Sequence, residues 1–149
     1  MTTKHQLYKF CESYAEERII RIKKSINDIQ ESLSSETKSS AGDKHETGRA
    51  MLQLEREKLG QQLAEGERTK QVLAKVNPDQ NSSSIGLGSW VKTSKADYFL
   101  AISAGEYKCE ASSVYCISAG TPIGKLLIGR AVGETIHFNG SEIKINSVE

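Results

Sequence analysis

The apolar residues in the first half of the chain recur with a helical period. One stripe alternates intervals of three and four residues, which is typical of a helix packed against another helix. Its members are Ile19, Ile22, Ile26, Ile29 and Leu33. After a polar stretch at 34–42, a second stripe recurs every seven residues, at Leu52, Leu59, Gly66 and Leu73. The two stripes predict an antiparallel helical hairpin, whose first helix runs from about Tyr14 to about Ser35.

The second half changes to short runs rich in β-branched and aromatic residues, which are typical of strands. The predicted strands are 88–93, 98–103, 114–118, 135–138 and 142–148. Asn139-Gly140 separates the last two and predicts a two-residue hairpin turn. Thr121 and Pro122 predict the N-cap and the first position of a short helix over 123–128. The second half is therefore expected to be a small, mostly antiparallel α+β domain.

A change of composition separates the two halves. Segment 77–84, Asn-Pro-Asp-Gln-Asn-Ser-Ser-Ser, has the turn-forming and polar residues of a linker. We therefore predict a helical hairpin over 1–76 with its tip near 41–47, a linker over 77–84, and the α+β domain over 85–149.

Composition and charge exclude several classes of protein. The 20 basic residues nearly balance the 19 acidic ones, so no independent DNA binding is expected. The three cysteines form no CxxC pair, which fits neither a disulfide framework nor a zinc site and favours a reducing compartment. The first residues lack the apolar stretch of a signal peptide, and no run approaches the roughly 18 apolar residues of a membrane span. A cytoplasmic protein without a membrane partner is expected.

The hairpin tip contains the residues with the most evident chemistry. Asp43 and Glu46 are three residues apart, so on one helical turn both carboxylates share a face. Such oxygen pairs suit Mg²⁺, which keeps several waters and commonly takes one or two protein carboxylates together with substrate phosphates. His45 lies between them as a possible metal ligand or proton carrier.

A purely structural interpretation of the tip stays open. Aspartate at an N-cap with glutamate three residues later is a capping box, and acidic residues also favour the positive end of a helix. His45 has no second histidine near it in the sequence to complete a ligand set, and a lone histidine on an exposed turn is more often merely solvated. The nearby basic residues, which either meet RNA phosphates or form a solvated face, are Lys38, Lys44, Arg49 and Arg56.

Two motifs resemble those of the bacterial Gre-type transcription elongation factors, the transcript cleavage factors. The tip of that family's hairpin has a motif like Gly-Asp-Leu-Ser-Glu-Asn-Ala-Glu-Tyr, and residues 42–46 match its glycine, aspartate and glutamate in register. Residues 121–134, Thr-Pro-Ile-Gly-Lys-Leu-Leu-Ile-Gly-Arg-Ala-Val-Gly-Glu, resemble the family's Ser-Pro-Ile-Gly-Lys-Ala-Leu-Leu-Gly-Lys-Lys-Val-Gly-Asp. Residues 47–50, Thr-Gly-Arg-Ala, depart from the family's Asn-Ala-Glu-Tyr. The resemblance extends over nearly all of the chain from about residue 14.

The resemblance implies an FKBP-like fold for the second domain and bacterial RNA polymerase as the partner. The hairpin would enter the secondary channel of the polymerase, and the second domain would dock at the channel rim. Asp43 would help hold a weakly bound second Mg²⁺, and Glu46 would share that Mg²⁺ and position or activate the attacking water. The chain would then be no enzyme itself. It would stimulate cleavage of backtracked RNA by the polymerase, meeting the nascent RNA 3′ end only within the complex, and would hold no Mg²⁺ stably alone.

Three alternatives remain open at this level. The first is a regulator or inhibitor of transcription that occupies the channel without stimulating cleavage. Lys44, His45 and Arg49 favour it, because they make the tip less acidic. A prolyl isomerase would share the FKBP-like fold, but a fold alone does not imply activity. The hairpin could also serve only as a dimerisation arm.

Overall fold

A computed structural model describes residues 2–38 and 43–149, and the side chains of residues 2–35 and 46–149. Its elements are α1 (Lys4–Lys38), α2 (Asp43–Ala74), β1 (Trp90–Thr93), β2 (Asp97–Leu100), β3 (Gly105–Cys109), β4 (Ser112–Ile117), α3 (Pro122–Leu127), β5 (Thr135–Phe138) and β6 (Ser141–Val148). A helical hairpin followed by a small α+β sheet domain is confirmed.

The chain forms two compact units. We call Ala15–Thr69 the hairpin unit; the residues up to Tyr14 together with those from Lys70 onward are the sheet unit. The first residues of α1 thus belong to the sheet unit. The linker over 77–84 stays a prediction.

The hairpin unit is held by the two predicted stripes. Ile22 and Ile26 of α1 form a buried cluster with Leu59 of α2, and Ile29 and Leu63 pack against it. Nearer the other end, Arg18 Nη2 lies 3.7 Å from Glu65 Oε2. Earlier positions of α1 therefore contact later positions of α2, which confirms the antiparallel arrangement.

The two glycines inside α2 have different surroundings. A Cβ on Gly66 would lie 3.2 Å from Cγ1 of Ile19, a buried side chain of the seam. A Cβ on Gly60 would lie 3.2 Å from Nη1 of Arg56, the far end of a flexible side chain. Close approach of the helices therefore explains glycine at 66 but not at 60.

Replacing Gly60 with alanine is expected to stabilise the hairpin unit by about 0.5–1 kcal/mol, because alanine loses less backbone entropy in a helix and Arg56 can move aside. Gly66→Ala should gain less or lose stability, since Ile19 is fixed by its packing. Urea unfolding followed by helical circular dichroism would compare the two. Equal gains from both changes would show that the helices do not approach closely at Gly66.

The sheet of the second unit has the strand order β3-β4-β2-β1-β6-β5. Four of the neighbouring pairs are antiparallel, and β2 pairs with β4 in parallel. The mostly antiparallel arrangement is confirmed. The predicted turn is also confirmed, because Asn139 and Gly140 both have positive φ, 50° and 75°, between the paired residues Phe138 and Ser141. Strand β3 was not predicted.

The start of α1 packs within the sheet unit, and the helix begins at Lys4, ten residues before the predicted start. Leu7 and Cys11 are one helical turn apart and fully buried. A hydrogen bond with Cys11 and burial both raise the pKa of the Cys116 thiol. All three cysteines are free; Cys11 and Cys116 are buried, and Cys109 is half-buried.

A second apolar core lies beside α3, where every buried member is aliphatic. Its members are Ile85, Val91, Leu100, Ile123, Leu127, Ile136, Ile143 and Ile145. Ile123 and Leu127 are four apart on α3, so one face of this short helix is buried. This packing positions the motif at 121–134 against the sheet.

Candidate functional site

The predicted tip residues fall at the start of α2. The helix begins at Asp43, so the backbones of residues 43 and 46 lie on one side of its first turn. The Glu46 side chain is exposed. Residues 41 and 42, and the side chains of Asp43, Lys44 and His45, lie outside the described part of the chain. The pairing of the Asp43 and Glu46 carboxylates therefore stays a prediction, as does capping by Asp43.

Glu46 has the chemistry expected of a ligand shared with another molecule. Its side chain lies in the first turn of a 32-residue helix, where acidic residues are commonly found. A carboxylate oxygen is a donor that Mg²⁺ accepts, and it leaves room for waters and phosphates. Within the described ranges, no group of three or more His, Cys, Asp or Glu side chains is placed to hold a metal ion. A Mg²⁺ shared with another molecule stays a prediction.

Residues 121–134 have the local structure that their sequence predicts. Thr121 Oγ1 accepts a hydrogen bond from the Gly124 N–H at 3.1 Å and donates one to the Ser118 carbonyl at 2.8 Å. Pro122 occupies the first position of α3. A Cβ on Gly124 would lie 2.3 Å from the Ser118 carbonyl oxygen, so only glycine fits there. The predicted N-cap and start of the helix are confirmed.

The later part of the same motif forms a turn. Gly129 and Gly133 have φ of 81° and 91°, values that favour glycine. Arg130 Nη1 lies 3.8 Å from Glu134 Oε1, which links the two ends of the turn. Thr121, the glycines at 124, 129 and 133, and the Arg130–Glu134 pair thus have local structural roles.

The sheet unit also contains a cleft that no sequence motif predicts. It has a volume of about 700 Å³ and is bounded by the start of α1, the segment around Pro78, strands β1 and β2, and the β3–β4 turn. Its lining includes Lys4, Trp90, Lys92 and Asp97. These residues lie far apart along the chain or on alternating strand positions, so no short motif indicates the cleft.

Lysines and carboxylates oppose one another around this cleft. Lys4 Nζ donates to the Gln80 carbonyl at 2.6 Å; burial lowers the pKa of Lys4, and the charge of Glu149 partly offsets the effect. Burial raises the pKa of Asp97, and the positive charge of Lys92 partly offsets this rise. Lys92 Nζ lies 4.8 Å from the centre of the Trp90 ring, within the range of a cation–π contact.

Asp97→Asn is expected to raise the melting temperature at pH 7. The pKa of Asp97 is higher in the folded chain than its ordinary value of 3.8, so the charged form disfavours folding above the folded pKa. As the pH falls below 3.8, the carboxyl is protonated in both states and the advantage of asparagine should disappear. Thermal unfolding at pH 7 and at about pH 3 would measure both differences. An advantage that is unchanged at low pH would contradict the assignment to charge.

Comparisons with known proteins leave the family open. No family model matches the chain, and no curated protein matches it. A solved structure described as "Structure of the transcription factor Gfh1" is similar over 95% of this chain and 92% of that chain, with 18% sequence identity and a TM-score of 0.34. We draw no functional conclusion from a likeness at this level. In the described part of the chain, no helix combines the length and apolar character needed to cross a membrane.

Proposed function

We propose that this protein is a transcription factor that binds bacterial RNA polymerase, inserts its hairpin into the secondary channel and stimulates cleavage of backtracked RNA. The observation that supports this most directly is the hairpin itself, whose second helix opens with Asp43 and an exposed Glu46. The motif at 121–134 supports it further, since its residues resemble those of the Gre-type factors.

The hairpin suits the delivery of carboxylates to another active site. Its apolar seam, formed by Ile22, Ile26 and Leu59, is buried between the two helices, so packing holds the helices of the hairpin together. A Mg²⁺ shared by Asp43, Glu46 and the polymerase would stabilise negative charge on the attacking and leaving oxygens of RNA hydrolysis. The Glu46 carboxylate would accept a hydrogen bond from the attacking water and so orient it. The polymerase would remain the enzyme.

A regulator that occupies the channel without stimulating cleavage is the second candidate. Arg49 is exposed and lies three residues after Glu46 on α2, so its charge falls on the same face and partly compensates the carboxylate. A less negative tip would attract Mg²⁺ more weakly. The protein would then slow nucleotide addition by blocking the channel.

The test is RNA shortening in a backtracked elongation complex with polymerase and Mg²⁺. The intact protein is expected to accelerate shortening, and the double variant Asp43→Ala/Glu46→Ala is expected to bind the polymerase without accelerating it. Tight binding by the intact protein without any acceleration would favour the channel-blocking regulator. Absence of polymerase binding would overturn both candidates.

A further inference from the structure

The cleft of the sheet unit contains a polar group that lacks a partner. Trp90 lines it with only 8% of its surface exposed, and its indole Nε1–H has no hydrogen-bond acceptor among the described residues. Buried N–H groups of folded proteins nearly always have an acceptor. The exposed Lys92 side chain extends across the ring and can move away without disturbing the core. A cation that enters the cleft could then take the place of the Lys92 ammonium on the face of the ring.

A carboxylate in the same cleft also lacks a close partner. Asp97 lies opposite Lys92 in the β1–β2 register and is half-buried. Within the described ranges, no group donates a hydrogen bond to its carboxylate, and no cation lies within ion-pair distance. Glu110 and Glu149 add two further carboxylates to the lining. Half-buried carboxylates are normally paired or hydrogen-bonded, so Asp97 has unused capacity for a cation.

The ligand that complements both groups combines a cation with a hydrogen-bond acceptor. The Trp90 ring already accepts the ammonium of Lys92, which shows that its face suits a positive charge. An anion is disfavoured, since the Lys4 ammonium is engaged by the Gln80 carbonyl at 2.6 Å and by Asn81 Oδ1 at 3.4 Å. The volume of about 700 Å³ is within the range of sites that hold a side chain and its peptide groups.

We propose that this cleft binds a basic side chain presented by a peptide segment of a partner protein. The cation displaces Lys92 from the Trp90 ring and pairs with Asp97, while a peptide carbonyl of the same segment accepts the Nε1–H of Trp90. This site is separate from the tip carboxylates and does not depend on the function proposed for them.

Trp90 is the one tryptophan of the chain, so its fluorescence reports binding directly. The probe is acetyl-Gly-Arg-Gly-amide, titrated into the full chain beside the same peptide with citrulline in place of arginine. We expect a saturable change with a Kd of about 1 mM for the arginine peptide. Binding of the citrulline peptide should be at least about tenfold weaker, because citrulline has nearly the same size and shape as arginine but lacks the charge.

Three variants test which residues of the cleft determine the affinity for the arginine peptide. Asp97→Asn should weaken binding about tenfold, because the paired charge is lost. Lys92→Gln should strengthen binding about threefold, because it removes the cation that competes for the ring. Lys95→Gln removes the same charge from an exposed residue outside the cleft lining and should leave the affinity unchanged. Circular dichroism would verify that each variant is folded.

Several outcomes would overturn the proposal. Equal affinity for the citrulline peptide would show that charge is not recognised. A saturable response to inorganic phosphate that Lys92→Gln abolishes would identify an anion site instead. No saturable response to the arginine peptide in either the intact chain or Lys92→Gln, by fluorescence and by amide chemical shifts, would show that the cleft does not bind basic side chains.

Discussion

Gly124→Ala is expected to destabilise the sheet unit by about 3 kcal/mol or more, enough to unfold a marginal domain. The added Cβ would lie 2.3 Å from the Ser118 carbonyl oxygen and 2.8 Å from Thr121 Oγ1. The first of these atoms belongs to the backbone, so the chain before α3 would have to move. That movement would also break the two hydrogen bonds made by the Thr121 hydroxyl.

Gly120→Ala is the matched control for this change. It lies in the same loop, but its added Cβ would approach nothing closer than Ser118 Oγ at 3.9 Å, an ordinary contact. The free energy of unfolding should change by less than about 0.5 kcal/mol. Denaturant unfolding followed by Trp90 fluorescence would measure both variants in the sheet unit. A similar stability for the two variants would contradict the close approach at Gly124.

The parts of the fold that sequence predicts best are those in which one local pattern determines the structure. The stripe from Ile19 to Leu33 requires a partner helix, and the second stripe supplies one. Thr121-Pro122 and Asn139-Gly140 specify a cap and a turn through the conformations of their own backbones. In each case, the residues that form the structure are neighbours in the sequence.

The missed elements depend on tertiary contacts. Strand β3 alternates exposed and half-buried positions and lies at the edge of the sheet, so its residues lack the apolar signal of a buried strand. The start of α1 before Tyr14 is stabilised by Phe10 and Cys11, whose partners Tyr107 and Cys116 lie about a hundred residues away in the sequence. The cleft at Trp90 was missed for the same reason.

The motif at 121–134 concerns local folding, whereas the tip motif at 42–46 concerns function. At 121–134, Thr121 and Gly124 are required by a cap and a close approach, so local folding explains their presence. Glu46 is exposed, and the capping contact predicted between it and Asp43 lies outside the described part of the chain. A test of function must therefore be made at the tip rather than in the second motif.

Glu46→Gln should lower the rate of stimulated RNA cleavage about 100-fold, while polymerase binding is retained. Glutamine keeps the size and helix propensity of glutamate but lacks the negative charge that would hold Mg²⁺ and orient the attacking water. Single-turnover RNA shortening at saturating factor separates the cleavage rate from affinity.

The control for that experiment is Glu67→Gln, which removes the same charge from another exposed position on α2. It is expected to leave the cleavage rate unchanged. If both variants lost activity equally, the net charge of the hairpin would explain the effect and Glu46 would have no specific role. If neither lost activity, Glu46 would be better explained as a stabilising charge at the helix start. A loss confined to Glu46→Gln is the result that assigns the chemistry to the tip.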